Sequence, residues 1–319
     1  MSTDCTEQLA AQVRDARVSG DTLAICGAGS KPWRNQLTGV RLNMLEHSGV
    51  VAYDPSELVI VVRAGTTLVE LDRLLAEQGQ MLAAEPPSFG DASTVGGAIA
   101  LGWSGSRRPF GGALRDAVLG IRMINGLGEV LSFGGQVMKN VAGFDVARLM
   151  TGSLGHLGVI LEASLRVVPM PPAEVTLRLE CDSAEAAVLR VRAALQEGAP
   201  VTGASYCAGV QRVRLAGHGT TLAILCQQWQ AQQEDNSFWE QLRRVQAPAG
   251  FPAASVDDWN GQLQWRFTED GNIARQALGR APVELAQGLD FSNADPTLAA
   301  LQEQLRVAFD PHAIFEQTR

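Results

Sequence analysis

Residues 93–102 read Ser-Thr-Val-Gly-Gly-Ala-Ile-Ala-Leu-Gly, a glycine-rich turn that leads into a short helical pattern. An earlier glycine loop, Gly-Ala-Gly-Ser-Lys at residues 27–31, directly follows a strand predicted over residues 22–26. Where side chains are missing, backbone N–H groups can donate to phosphate oxygens, and a helix N-terminus favours negative charge. Two such loops, followed by further glycine-rich segments, favour an extended dinucleotide over a mononucleotide as the ligand.

The first loop departs from the common nucleotide-binding motifs. The third glycine of G-x-G-x-x-G is absent, and Pro32 takes its place. The Walker A pattern G-x-x-x-x-G-K-S/T is not matched either. Two interpretations stay open: a concave nest of N–H groups that binds an anion, with Lys31 adding positive charge, or an ordinary tight turn.

Glycine is concentrated in this part of the chain. Of the 33 glycines, 16 lie within residues 90–160, with clusters at 134–145 and 152–160. Such density in an apolar, lightly charged segment indicates that the backbone closely approaches another group. The chain has two lysines, Lys31 and Lys139, and both lie in glycine loops.

Length and charge narrow the class of protein. The 319 residues suggest two domains, and the net charge of −8 argues against a general nucleic-acid binder. No apolar run approaches the ~20 residues of a membrane-spanning helix, and the first residues lack the basic and apolar regions of a secretion signal. The five cysteines form neither a CxxC pair nor a zinc-binding spacing. We therefore expect a cytoplasmic protein of a reducing compartment.

A proline cluster divides the chain. Residues 169–172 read Pro-Met-Pro-Pro, which prevents continuation of a helix or a central strand. We predict one domain over residues 1–170 and a second over 171–319, with the C-terminal segment returning to the first. Strands and helices alternate less regularly than in a doubly wound sheet, which favours the α+β class.

Local signals predict several elements. Thr67, Asp145 and Ser183 are expected to cap helices, and Asn-Gly-Leu-Gly at 125–128 is expected to join two strands in a hairpin. A second hairpin is predicted from residues 210–215 and 220–226, across the Gly-His-Gly sequence between them.

The order and spacing of these motifs resemble the flavoproteins of the vanillyl-alcohol oxidase and p-cresol methylhydroxylase (PCMH) type. The matching segments span residues 22–170, about half of the chain, at 27–31, 64–71, 94–100, 116–120, 134–145 and 149–160. Narrower fragments resemble the smaller flavin-binding subunits of bacterial glycolate oxidases, at 53–58, 79–82, 85–87, 107–109 and 135–145. The resemblance implies an α+β fold in which a two-subdomain PCMH-type FAD-binding domain precedes a smaller α+β cap or substrate-type domain.

The same resemblance implies the cofactor-binding residues. FAD would extend between the subdomains, with its diphosphate against residues 27–31 and 94–97. The full set is Gly27, Ala28, Gly29, Ser30, Lys31, Pro86, Thr94, Gly96, Gly97, Ala100, Gly102, Lys139, Gly158 and Val159. The charge of Lys139 would stabilise an anionic reduced flavin. The alternatives for Lys139 are a solvated loop lysine and a structural pair with Asp145.

Other residues limit the chemistry. Many relatives attach FAD covalently through His or Cys, but no His occurs in residues 27–35 or 93–110, so we expect non-covalent FAD. No histidines stand at metal-ligand spacing, so no metal is expected. Catalytic residues stay unassigned: His156 is the one candidate base, with a packed or surface histidine as the alternative. For Arg107 and Arg108 we expect either a partner-binding patch or an exposed loop.

The resemblance implies a subunit of a multi-subunit glycolate oxidase that oxidises glycolate, a small 2-hydroxy acid, to glyoxylate. Electrons would leave through a larger flavoprotein subunit and an iron–sulfur subunit, and contact with the inner membrane would be indirect, through that complex. Two alternatives stay open. One is a free-standing FAD-dependent dehydrogenase of D-2-hydroxy acids such as D-lactate, and the other is a non-catalytic structural subunit on a flavin fold.

Overall fold

The computed structural model describes residues 2–31, 37–135, 144–246, 254–259, 262–268, 273–277, 283–284 and 296–315. The helices are α1 (Thr6–Ser19), α2 (Leu68–Ala76), α3 (Val95–Leu101), α4 (Arg108–Gly111), α5 (Leu114–Ala117), α6 (Val146–Met150), α7 (Ala184–Gln196), α8 (Gly219–Trp229), α9 (Ser237–Arg243) and α10 (Pro296–Phe309). The strands of the first half are β1 (Leu23–Cys26), β2 (Val40–Asn43), β3 (Val50–Asp54), β4 (Val59–Arg63), β5 (Gln80–Met81), β6 (Val118–Ile124), β7 (Val130–Gly134), β8 (Val159–Arg166) and β9 (Val168–Pro169). Those of the second half are β10 (Ala173–Glu180), β11 (Val201–Cys207), β12 (Val210–Gly217), β13 (Gln232–Glu234), β14 (Ala254–Asp258), β15 (Leu263–Phe267), β16 (Ile273–Ala277) and β17 (Val283–Glu284).

The first half is built on a five-stranded antiparallel sheet of order β3-β4-β8-β6-β7. Its inner strand β4, between β3 and the central β8, has the sequence Val-Ile-Val-Val before Arg63, and all four apolar side chains are buried. A separate parallel pair, β1 and β2, lies beside the same core. Helices α1, α2 and α3 pack against this core, so the two glycine loops start from well-buried elements.

The predicted helix caps and the first predicted hairpin are confirmed. The side chains of Thr67, Asp145 and Ser183 accept backbone N–H groups at 3.1, 3.2 and 3.2 Å, from Glu70, Arg148 and Ala186 respectively. Strands β6 and β7 pair antiparallel across the predicted turn. Such caps satisfy N–H groups that a helix start would leave without partners.

The second half is an eight-stranded sheet of order β13-β10-β12-β11-β14-β15-β16-β17. Helices α7 and α8 cover part of it with buried residues such as Val191 and Leu222. An aromatic cluster that includes Trp239, Trp259 and Trp265 forms another core, and Leu101 of α3 packs into it. The combination of helices with mainly antiparallel sheets confirms the α+β class.

The second predicted hairpin is wrong. Residues 219–229 form helix α8, and β12 instead pairs antiparallel with β11. The turn between those strands contains Ala208 and Gly209, with φ of 49° and 81°, the backbone of a tight two-residue hairpin turn. Leu222 and Cys226, four residues apart, are buried on one face of α8, so packing of that face against the sheet outweighed the Gly-His-Gly turn signal.

The C-terminal segment packs on the first half. The N–H of Leu23 donates to the carbonyl of Ile314 at 2.6 Å, and Ile314 and Phe315 belong to the core of the first half. The fully buried carboxylate of Asp310 accepts the N–H groups of both residues at 3.0 Å. These contacts support the predicted return of the chain, while the domain division at residue 170 stays a prediction. In the part of the chain that the structure describes, no helix is both long and apolar enough to cross a membrane.

Candidate functional site

An open cleft lies between the two glycine loops, with about 850 Å³ of empty space. One side is formed by the end of β1 and the loop at 27–31, and the other by α3. Residues 154–160, just before and within β8, close the cleft.

The two glycine loops approach each other closely at two pairs of residues. A Cβ added at Gly27 would lie 2.7 Å from Oγ1 of Thr94, and the hydroxyls of Ser30 and Ser93 lie 3.1 Å apart. Residue 27 must therefore be glycine if the loops are to approach this closely. The contact joins the loops at their base and leaves the rest of the cleft open.

In the second loop the N–H groups at the start of α3 already have acceptors. Those of Val95 and Gly96 donate to the carbonyls of Thr66 and Ala64, at 2.8 and 2.9 Å. Oγ1 of Thr94 accepts the N–H of Gly97 at 3.2 Å. This differs from the expectation that the glycines free these groups for phosphate oxygens. Gly96 instead permits close packing, since a Cβ there would lie 2.6 Å from the Cβ of Ala64.

The first loop differs. For the N–H groups of Gly27, Ala28 and Gly29, the described part of the structure contains no hydrogen-bond acceptor. The ammonium of Lys31 extends across the cleft, and a Cβ at Gly97 would lie 3.1 Å from its Nζ. A concave row of N–H groups beside a positive charge is a favourable site for an anion.

Ten of the sequence-predicted cofactor residues line the cleft, and three more are described outside its lining. The ten are Gly27, Ala28, Gly29, Ser30, Lys31, Thr94, Gly96, Gly97, Ala100 and Gly158. Gly102 ends α3 with φ of 71°, Val159 is buried within β8, and the carbonyl of Pro86 accepts from Arg243. Lys139 lies outside the described residues.

Sequence reasoning missed the walls of the cleft. The missed residues are Ile25, Cys26, Met44, Ala64, Leu154 and Gly155, whereas Leu101 and Ile160 lie in the segments 100–102 and 159–160, which the resemblance implied would line the cofactor. They are mostly apolar and belong to strand ends or helices. Their pattern resembles ordinary core, so periodicity alone does not separate a cofactor wall from a packed interior. Their order along the chain, directly beside the glycine loops, was the available signal.

Arg107 corrects the expectation of an exposed loop or partner-binding patch. Its side chain is buried, and its Nε donates to Oε1 of Glu85 at 3.0 Å while the guanidinium also pairs with Glu174. Arg108 is exposed and stacks over Trp259 at 4.5 Å. The Arg-Arg pair therefore joins the two halves of this chain on one side and reaches solvent on the other.

Two further ionisable residues, His156 and Asp258, lie outside the lining of the cleft. His156 is half-buried and does not line the cleft, although Gly155 and Gly158 do. Asp258 is fully buried, and burial raises its pKa to about 6 despite hydrogen bonds from Ser106 and the Trp259 N–H. Among the described residues, no group of three or more His, Cys, Asp or Glu could hold a metal ion.

Comparisons with known proteins agree with a nucleotide cleft in the first half. Residues 2–134 match the family model of the FAD binding domain. The chain is 37% identical, over 341 residues, to the glycolate oxidase subunit GlcE of Escherichia coli (strain K12), covering 99% of this chain and 97% of that relative.

Other relatives match over a shorter length. The D-lactate dehydrogenase of Anaerostipes hadrus is 30% identical over 48% of this chain, and the glycolate oxidase subunit GlcD of Bacillus subtilis (strain 168) is 31% identical over 54%. These matches span only 32% and 36% of those two proteins. In structure, the chain is similar to alkyldihydroxyacetonephosphate synthase in two crystal forms, with a TM-score of 0.65 at 16% identity over 97% of this chain and 73% of that one. At this identity the likeness shows the fold alone.

Proposed function

This chain belongs to the family of the glycolate oxidase subunit GlcE, and on that premise we propose that it is the FAD-binding subunit of a multi-subunit glycolate oxidase that converts glycolate to glyoxylate. FAD is the cofactor of the domain that its first 134 residues match. The observation that carries the proposal is the cleft, in which one glycine loop presents N–H groups without partners in the described structure beside a lysine.

The residues present fit FAD. The N–H groups of residues 27–29 would bind the diphosphate, and Lys31 would offset part of its charge. Gly97 leaves the space that the lysine side chain occupies. Apolar residues such as Leu101, Leu154 and Ile160 would exclude water from the flavin ring.

Bound FAD would supply the two-electron chemistry that turns a hydroxyl group into a carbonyl. Such a reaction also requires a base for the hydroxyl proton. The ionisable groups among the described lining residues are the Lys31 ammonium and the Cys26 thiol, both half-buried. We therefore propose that the substrate base belongs to a partner subunit and that this chain's flavin takes part in electron transfer.

The proposed partners are a larger flavoprotein subunit and an iron–sulfur subunit, with any membrane contact made through them. The FAD is proposed to be non-covalent, so acid precipitation should release all of the flavin. A second candidate function is a free-standing D-2-hydroxy acid dehydrogenase, which the similarity to a D-lactate dehydrogenase favours over part of the chain.

Purification of the chain alone and together with its partner subunits tests the proposal. Flavin per chain and glycolate-driven dye reduction are measured for both preparations. We expect a yellow protein whose flavin is reduced by glycolate only when the partners are present. Reduction of the isolated chain by D-lactate would favour the second candidate. A colourless chain that takes up no FAD would contradict both and support a structural subunit.

A further inference from the structure

A nine-residue segment joins the second half of the molecule to the cleft. It comprises residues 85–93, Glu-Pro-Pro-Ser-Phe-Gly-Asp-Ala-Ser, and we call it the connecting segment. It lies between β5 and α3, and it ends directly before Thr94, the N-cap of α3. Both of its ends make specific polar contacts, one with the eight-stranded sheet and the other with the first glycine loop.

The first end is fixed by two buried arginines. Arg214 of β12 donates to Oε2 of Glu85 at 2.8 Å, and Arg107 donates to Oε1 at 3.0 Å. Burial alone would raise the pKa of Glu85, but the charges and hydrogen bonds of Arg214 and Arg107 outweigh it and hold the pKa below its usual value. The backbone φ of Glu85 is +43°, uncommon for a residue with a side chain. The ion pairs therefore fix a conformation that the segment would not otherwise prefer.

Arg243, at the end of α9, holds the middle of the segment. Its carbonyl accepts the N–H of Ser88 at 2.7 Å, and its Nε donates to the carbonyl of Pro86 at 3.4 Å. Its other guanidinium nitrogen pairs with Asp72 of α2 at 2.7 Å. One residue of the second half thus contacts the connecting segment with both its backbone and its side chain.

The far end of the segment reaches the first glycine loop. Oγ of Ser93 accepts the N–H of Phe89 at 2.9 Å and lies 3.1 Å from Oγ of Ser30. The ring of Phe89 lies below the Lys31 ammonium, 5.7 Å from Nζ to the ring centroid. A shift of the segment would therefore move two contacts of the loop that we expect to bind the FAD diphosphate.

We propose that Arg214 and Arg243 are positioning residues for the cofactor site, acting through the connecting segment on Ser30 and Lys31 although neither arginine lines the cleft. This inference rests on the proposed function for the identity of the ligand. It assigns the second half of the chain a role in FAD binding by the first half. Loss of either arginine should lower the fraction of molecules whose loop is arranged to bind, and the apparent affinity should fall by that fraction.

The matched comparison is Arg214→Gln against Arg212→Gln. Both arginines lie on β12, with 5% and 11% of the side chain exposed, and each pairs with a carboxylate at 2.8 Å. Each also stacks on an aromatic ring, Arg214 on Trp239 at 5.1 Å and Arg212 on Phe238 at 4.5 Å. The carboxylate that pairs with Arg212 is Glu234, within the same sheet, so this control removes a similar interaction without touching the connecting segment.

We expect R214Q to raise the dissociation constant for FAD about tenfold, and R212Q to change it by less than about twofold. The visible circular dichroism and the midpoint potential of bound FAD should shift in R214Q alone. Thermal unfolding of both apoproteins separates this effect from a general loss of stability. If Arg214 acts through Glu85, the double variant E85Q/R214Q should bind FAD no more weakly than R214Q.

Equal FAD affinities and spectra for R214Q and R212Q would overturn the inference while leaving the proposed function intact. If the wild-type chain binds no FAD, the proposed function fails and the inference fails with it. If R214Q does not fold, Arg243→Gln decides, with Arg178→Gln as its control. These two side chains are 30% and 31% exposed, and each forms an ion pair, but Arg178 pairs with Glu234. Equal affinities in this second pair would also overturn the inference.

Discussion

The two glycine loops of this chain look alike in sequence and differ in structure. In the loop at 27–31, the N–H groups of Gly27, Ala28 and Gly29 have no acceptor within the described residues. In the loop at 93–97, the N–H groups are bonded inside the protein, and Gly96 packs against Ala64. The glycines of the two loops therefore have different surroundings: the backbone of the first loop faces the cleft, and Gly96 of the second permits close packing.

Because of this difference, we expect substitutions in the two loops to have different effects, one on protein stability and the other on affinity for FAD. A substitution in the second loop should act on folding, because its glycines fill tight contacts. A substitution in the first loop should act on FAD binding, because its backbone faces the cleft. For the variants below, the free energy of unfolding and the dissociation constant for FAD together separate an effect on folding from an effect on FAD binding.

The largest effect is expected for Gly96→Ala. The new Cβ would lie 2.6 Å from the Cβ of Ala64 and 3.1 Å from its carbonyl oxygen, so the backbone must shift. We expect a loss of about 3 kcal/mol in the free energy of unfolding, measured by urea denaturation. The FAD affinity of the molecules that fold should change little.

Gly29→Ala is the control in the first loop. Gly29 has a φ of +65°, and among the described residues an added Cβ would meet only Nη2 of Arg41, at 3.8 Å. The left-handed backbone costs an alanine about 1 kcal/mol. The loss of FAD affinity should therefore exceed that of G96A although the loss of stability is smaller. The reverse order would contradict the division of roles between the loops.

The chain that follows α3, the helix of the second loop, forms a hydrogen bond with a buried acid. Oγ of Ser106 donates to Asp258 at 2.7 Å, and burial raises the pKa of Asp258 to about 6 from an ordinary 3.8. Because the folded pKa is raised, the protein is stabilised while this group is protonated. That stability is lost as the pH rises from about 4 to 6, by up to about 3 kcal/mol. Asp258→Asn should remove this part of the pH dependence, measured by urea denaturation at several pH values.

Ser106→Ala sharpens the same experiment. The hydroxyl of Ser106 stabilises the ionised form of Asp258, so its removal should raise the pKa of Asp258 further and extend the loss of stability to higher pH. FAD affinity at neutral pH should stay near the wild-type value in Asp258→Asn. An unchanged pH profile in Asp258→Asn would show that this carboxyl is not the titrating group.

The sequence predicted those features of the fold that depend on neighbouring residues. Local signals identified the helix caps at Thr67, Asp145 and Ser183 and both glycine loops, because a cap or a turn depends on a few neighbouring residues. The assignment of residues 220–226 failed because burial of Leu222 and Cys226 against a distant sheet decided for a helix. Tertiary packing of this kind cannot be predicted from the local sequence pattern.

The same limit applies to the candidate site. Nothing in the spacing of Glu85 and Arg214, 129 residues apart, indicates that they form a buried ion pair. Nor did the sequence distinguish the N–H group of Gly96 from that of Gly27, since the acceptor of the former is the carbonyl of Ala64, which only the fold brings close. Motifs located the cleft, and long-range contacts determined which of its N–H groups have acceptors within the described structure.

Lys31→Met tests the charge of the first loop. The ammonium extends across the cleft toward Gly97, in the same cleft that residues 27–29 line, and the lysine side chain is half-buried. We expect about a tenfold rise in the dissociation constant for FAD, because a charge-assisted contact to the diphosphate is lost. Lys31→Arg should retain most of the affinity. The salt dependence of binding should weaken in K31M, and equal salt slopes would contradict a charge contact.

The smallest effect, and the sharpest comparison, is expected for Thr94→Val against Thr67→Val. Both threonines cap helices by accepting an N–H, at 3.2 Å from Gly97 and 3.1 Å from Glu70, but only Thr94 lines the cleft. Each substitution should cost about 1 kcal/mol of folding free energy, measured by urea denaturation. If the hydroxyl of Thr94 serves the helix alone, both variants should bind FAD equally. A selective loss of affinity in T94V would mean that this hydroxyl also contacts the cofactor, and the second loop would then share the binding role assigned here to the first.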